Sequence, residues 1–379
     1  MSRQLDPDRF LGAQRIVICC GSGGVGKTTT AAALGLRAAE LGRDVLVMTI
    51  DPARRLAQAL GLDGLSHEPQ AIDTDTPGRL AAMMLDPKSA FDQLVHRHAP
   101  SAEARDAILA NRYYQQLAES FGGSRELISM EQVLAQAKAD PERLLIVDTP
   151  PAEHALDFLD APRRVLGLLD GSLTEAFLKP YQSIARVQFN LFRQSSAMTL
   201  KFIEGLTGSS VVSELGEFLN SFSVLFDGFR DRAREVRALM QESQTGFLLI
   251  CAPDPLSLRE VNRFAARLSE ENLAPLGVLV NRLGPGSING TESGAAPALD
   301  LLQDAGASPA LLEAAAEVID DTARRRTLEL ESLRSYLDPE ASSDMRALPN
   351  LCIPEFEESL SSLPDLSRYA AAWRTAISF

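Results

Sequence analysis

Residues 15–42 read RIVICCGSGGVGKTTTAAALGLRAAELG, and the order of chemistries in this stretch decides the fold. Ile16 to Cys20 is a short apolar run that reads as a buried strand. It leads into a loop in which Gly21, Gly23, Gly24 and Gly26 are interleaved with Ser22 and Val25. From Lys27 the residues are helix formers, closed by Gly42. Strand, glycine-rich loop and helix in this order make a cradle for a triphosphate. Glycines let consecutive backbone N–H groups turn inward, where the helix dipole also favours anions. Lys27 would reach the β- and γ-phosphates and the Thr28 hydroxyl would ligate magnesium, with Thr29 continuing the motif. A mere tight turn would explain the glycines but not Lys27 and Thr28 at their fixed positions.

Outward from this loop, short apolar runs recur at 45–50, 80–85, 144–148, 247–252, 275–280 and 349–353, separated by longer helix-like stretches. Such alternation predicts an α/β fold, a doubly wound, mostly parallel sheet covered by helices on both faces. The sheet would run through nearly all of residues 1–379 as one domain, interrupted by helical insertions at about 88–138 and 153–242. Half of the 16 phenylalanines fall between Phe177 and Phe229. Leu215, Phe218, Leu219, Phe222, Phe226 and Phe229 follow the spacing that puts them on one helix face. That face is either ordinary core or a groove for a hydrophobic client. Residues 284–296 (GPGSINGTESGAA) read as a surface loop, followed by alanine-rich, charged helices over about 298–337.

Three further places carry chemistry. Asp51, with Pro52 and Ala53, closes the second strand, at the sheet edge where ligands bind in open α/β folds; it would orient or polarise the attacking water, or else cap the helix that follows. Asp148 ends an apolar strand and would face the magnesium shell, and Pro150 and Pro151 take the chain off the sheet into a loop able to respond to the γ-phosphate. His154 lies in that loop as a candidate switch residue; a lone histidine also has structural uses. Asn281 and Arg282 follow the sixth strand, where an amide suits adenine because it both donates and accepts; an Asx turn competes for the same asparagine.

Composition narrows the partners. A formal charge of -14 repels nucleic acid and anionic bilayers as principal partners. Cys19, Cys20, Cys251 and Cys352 all sit in apolar, strand-like runs without a CxxC pair, as packing residues in a reducing compartment do. The first residues have no apolar segment of signal-peptide length, and no run of about eighteen apolar residues occurs, so a cytoplasmic protein, at most peripheral to a membrane, is expected.

Together these motifs resemble the family that contains the arsenical pump ATPase and the guided-entry ATPase that targets tail-anchored membrane proteins. GGVGKTT at Gly23–Thr29 is similar to its deviant P-loop, Asp51-Pro52-Ala53 to its first switch, and DTPPAEH at 148–154 to its second. APDPLSLREVNR at 252–263 resembles a further family phrase, Leu279-Val280-Asn281 its adenine-contacting segment, and Ile353-Pro354-Glu355 its late proline motif. The resemblance spans about residues 15 to 358. It implies a P-loop NTPase of the SIMIBI class with ATP and Mg as cofactors, Asp51 and Lys27 as catalytic residues, and Pro354 beside the base. It also implies a dimer, either of identical chains or with a related subunit. Nucleotide would open and close that dimer, in the service of hydrophobic or membrane-protein clients or of a membrane partner.

The chain departs from the family pattern in three places. Family members carry a signature lysine just before the paired glycines, reaching across the dimer to the partner's phosphates; here that residue is Ser22. Hydrolysis is then slower, or another cation enters, with Arg54 and Arg55 the candidates by proximity in sequence. A slow-turnover ATP-binding switch or scaffold is the competing reading, and an anion-transport subunit a third. The CxxC that holds zinc at the dimer interface of eukaryotic members is absent, and the cysteines do not fall where the pumps bind metalloid, so neither zinc nor arsenite is expected as a ligand.

Overall fold

A computed structural model describes residues 4–50, 55–85, 92, 95–96, 99, 101–111, 124–150, 226–284, 295–337, 344–345, 347–356 and 360–374. After helix α1 (Pro7–Ala13) come β1 (Ile16–Gly21), α2 (Lys27–Glu40), β2 (Asp44–Thr49), α3 (Arg55–Ala59), β3 (Gln70–Ile72) and β4 (Arg79–Met84). Helices α4 (Ala102–Ala110) and α5 (Ser124–Ala139) precede β5 (Leu144–Asp148). The chain continues through α6 (Phe226–Met240), β6 (Thr245–Cys251), α7 (Pro255–Glu270), β7 (Pro275–Leu283), α8 (Ala295–Asp304), α9 (Pro309–Leu337), β8 (Asn350–Pro354) and α10 (Leu363–Ala372).

The strands form one sheet in the order β3-β4-β2-β5-β1-β6-β7-β8. All pairings are parallel except β3 with β4. A parallel strand covered on both faces needs apolar residues on both, and β1, β5 and β6 are accordingly buried along their whole lengths. The apolar runs read as strands therefore sit where expected. Strand β3 was not foreseen. It is three residues long with only Ile72 buried, and edge pairing through the backbone leaves no apolar pattern to read.

Helix α2 lies unusually close to the sheet. Ala31, Ala32, Ala33, Ala38 and Ala39 are fully buried. A Cβ on Gly35 would stand 2.4 Å from Val47 Cγ2, so only glycine permits this approach. Tight packing here sets the head of α2, and with it the loop, against the sheet edge. All four cysteines are buried in strands. Burial pushes the Cys20 and Cys352 thiols up to about 12, which keeps them protonated and inert.

The helices expected over 298–337 start earlier, at Ala295, and are broken between α8 and α9, where Gly306 has φ 76 and Pro309 opens the second helix. Most of the glycine-rich 284–296 segment lies outside the described residues. So do Leu215, Phe218, Leu219 and Phe222; Phe226 and Phe229 fall in α6.

The chain divides into two compact units, one of residues 1–85, 139–156 and 240–379 and the other of residues 86–138 and 157–239. The first contains the sheet. In the second, the described elements are helices, and α5 and α6 are joined by a buried ion pair in which Arg232 donates to Glu131 at 2.6 Å.

Candidate functional site

The loop leaves β1 at Gly21, whose Cα lies so close to β6 that a Cβ would meet the Ile250 carbonyl oxygen at 1.9 Å. Gly24 and Gly26 both adopt left-handed angles, φ 76 and 94. At Gly24 a Cβ would meet nothing, so the backbone angle alone requires glycine there. Gly26 is constrained twice, because a Cβ would also lie 2.3 Å from Asn281 Nδ2. Gly26 is the N-cap of α2 and supplies no side-chain cap, so the N–H groups of the first turn meet no capping side chain, as an anion cradle requires.

Three side chains converge at the head of α2. The Thr28 hydroxyl donates to Asp148 Oδ2 at 2.8 Å, and the Thr49 hydroxyl donates to the same oxygen at 3.0 Å. Strand register explains the meeting, since Asp148 on β5 is level with Thr49 on β2 and with Cys19 on β1. Asp148 is 1% exposed. Lys27 is buried as well, and its Nζ donates to the Ser22 carbonyl at 2.7 Å. Burial holds the Lys27 pKa below the ordinary lysine value; the Asp148 charge opposes this, and the Arg55 charge adds to it.

Ser22 is 7% exposed, its hydroxyl 3.2 Å from that of Ser257 near the start of α7. Ser257 Oγ in turn accepts the Ala252 N–H at 3.0 Å. Asn281, also buried, donates through Nδ2 to the Val25 carbonyl at 2.8 Å and so underpins the loop. Arg282 is exposed in a left-handed conformation, φ 60, and lines a cavity of about 580 Å³ with Pro253, Arg325 and Glu355. Pro354 ends β8 opposite Leu283.

Lys27, Thr28, Asp148 and the loop glycines are thus brought together at the carboxyl edge of the sheet, with Asn281 beneath them. Asp51, Pro52, Ala53 and His154 lie outside the described residues. Sequence reading passed over Thr49 and Ser257. A hydroxyl on the last residue of a strand beside the Asp148 strand was the available signal for Thr49; Ser257 sits inside the 252–263 phrase but had no visible partner.

A hydroxyl and a carboxylate in contact beneath an uncapped helix start, beside a buried amine, are a donor set that suits a hard cation bound to phosphate oxygens. The model of the anion-transporting ATPase family matches residues 14–293. The chain belongs to the anion-transporting ATPase family. Similar proteins include ATPase get3 of Neurospora crassa, 29% identical over 270 residues that cover 71% of this chain and 73% of the relative. ATPase GET3 of Malassezia globosa is 27% identical over 268 residues, 70% of this chain and 72% of the relative. ATPase GET3 of Paracoccidioides lutzii is 30% identical over 271 residues, 71% and 73%. In this family member β8 and α9 lie beyond the matched segment, yet they are tied to it. The Gly284 N–H donates to Glu329 of α9 at 2.9 Å, and Arg325 joins Glu329 to Glu355 after β8.

Proposed function

We propose that the chain binds Mg-ATP in the loop Gly21–Thr28 and hydrolyses it, and that the nucleotide state opens and closes a dimer whose helical insertions handle hydrophobic or membrane-protein clients or energise a membrane partner. The observation that carries the first half is the contact of Thr28 and Thr49 with Asp148 directly below the uncapped start of α2. The second half rests on family membership and on the likeness to the fungal GET3 ATPases. Magnesium, when bound, supplies charge neutralisation on the phosphate oxygens.

The chain's own residues divide the remaining tasks. The Gly24–Gly26 backbone presents N–H groups to the phosphates, and Lys27 exchanges its bond to the Ser22 carbonyl for one to a phosphate oxygen. Thr28 and Asp148, the latter oriented by Thr49, would hold the metal, Thr28 directly and Asp148 through water. Asp51 orients the attacking water, while Pro52, Ala53 and His154 belong to the segments that respond to the γ-phosphate. Asn281, Arg282 and Pro354 frame the base. One site per chain makes a homodimer, or a heterodimer with a related subunit, the working form. The acidic surface fits a cytoplasmic protein that does not bind nucleic acid and meets membranes through a partner.

Phosphate release from Mg-ATP tests this, with wild type beside Lys27→Ala and Asp51→Asn and with dimer mass recorded with and without nucleotide. Turnover lost in both variants is the expected result; turnover unchanged in Lys27→Ala would sink the proposal. The docking of Ser22 onto Ser257 favours a second reading, a slow ATP-binding switch, which the same assay reports as tight binding with little release. An anion-transport subunit would instead show turnover stimulated by oxyanions.

A further inference from the structure

The ATPase reading leaves a charge problem that the structure narrows. Where the family resembled carries a lysine, Ser22 is built into the wall: its hydroxyl is held by Ser257 and its carbonyl by Lys27. It brings no positive charge. Asp148 adds a negative one at the same place. Hydrolysis gathers charge on the γ-phosphoryl oxygens, and P-loop enzymes offset it with a cation beyond the loop lysine.

Arg55 is placed to supply it. It is the first residue of α3, a helix whose Leu56, Ala57 and Ala59 are buried and which packs on α2, the helix that begins with Lys27 and Thr28. The preceding strand β2 ends at Thr49, whose hydroxyl is on Asp148. The Arg55 side chain itself is exposed. Arg282, also at the carboxyl edge, lines the cavity assigned to the base, in the company of Asp321, Glu329 and Glu355.

We propose that Arg55 is the second cation of this site, its guanidinium meeting the γ-phosphate of the triphosphate bound by the same chain, in place of the lysine absent at Ser22. The inference rests on the ATPase reading. The guanidinium would stabilise the γ-phosphoryl oxygens as the bond to the bridging β-phosphate oxygen breaks, its electrons leaving with ADP, while a water oxygen bonds to phosphorus. The water's proton departs with the product phosphate. A cation supplied in cis also frees turnover from any lysine of a partner subunit.

Equilibrium binding separates this from a structural role. ATP and ADP, each with magnesium, are titrated calorimetrically into wild type, Arg55→Ala, Arg55→Lys and Arg79→Ala, with thermal midpoints recorded for all four. Arg79→Ala removes the same charge at the amino end of β4, 81% exposed. Arg55→Ala is expected to lose about tenfold or more in ATP affinity with ADP affinity unchanged, and phosphate release falls with it. Arg55→Lys recovers part of the loss, and Arg79→Ala keeps the wild-type ATP:ADP ratio. If wild type prefers ATP and Arg55→Ala keeps the same preference and turnover, the Arg55 assignment is overturned and the ATPase reading stands. Wild type that binds neither nucleotide overturns both.

Discussion

Asn281 and Gly26 show how much of the loop's shape depends on single atoms. The amide of Asn281 donates to Val25 and leaves no room for a side chain at residue 26, where the backbone is already left-handed. Gly26→Ala is therefore expected to abolish nucleotide binding. The double variant Gly26→Ala, Asn281→Ala clears the steric contact but not the backbone angle, so it should bind no better; restored binding would show that the angle is not limiting. Thr49→Val removes one of the two hydroxyls on the buried Asp148 oxygen and should destabilise the protein by about 1–3 kcal/mol, read from urea midpoints. Equal midpoints would mean that the Thr49 hydroxyl does not help to hold the carboxylate.

Helix α2 is clamped from two sides by other elements. Arg37 donates twice to Asp8 of α1, at 2.8 and 2.7 Å, and Thr30 shares a 2.9 Å hydrogen bond with Tyr369 of α10. The hydrogen bond from Arg37 holds the Asp8 carboxyl below the usual carboxylate range. A depressed carboxylate stabilises the folded state above its unfolded pKa and loses that contribution as pH falls through the folded one. Thermal midpoints of wild type and Asp8→Asn should accordingly differ at neutral pH and converge on acidification below the usual carboxylate range; a gap independent of pH would contradict the pairing. In the helical unit, Arg232 bonds Glu131 where both are largely buried. Arg232→Ala strands the carboxylate and should cost about 3–5 kcal/mol in that unit, whereas Arg232→Met with Glu131→Leu should recover most of it. Hydrogen exchange in α5 and α6 reads both.

A surface with formal charge -14 sets how the protein meets its surroundings. Flotation with anionic vesicles should leave the purified chain unbound at physiological salt, and vesicles carrying a membrane partner are needed for recruitment. Direct binding to anionic lipid alone would contradict this expectation. No helix among the described residues is long and apolar enough to cross a membrane.

Strands β1, β2 and β4 to β8, the phosphate loop and the Asp148 carboxylate were legible in the linear text. A doubly covered strand must be apolar throughout, a phosphate cradle must have glycines at set positions, and a helix needs its own periodicity; each rule acts over a few neighbouring residues. Strand β3 was not, since an edge held by backbone pairing imposes no such rule. Nor were the partnerships that complete the site. Ser22 with Ser257, Val25 with Asn281 and Thr28 with Asp148 join residues 235, 256 and 120 positions apart. Those meetings follow from strand order and register, which place β5 and β6 on either side of β1. The fate of Ser22 belongs with them: its chemistry as a neutral residue was plain, but its burial against Ser257 of α7 follows only from how β6 and α7 pack beside the loop.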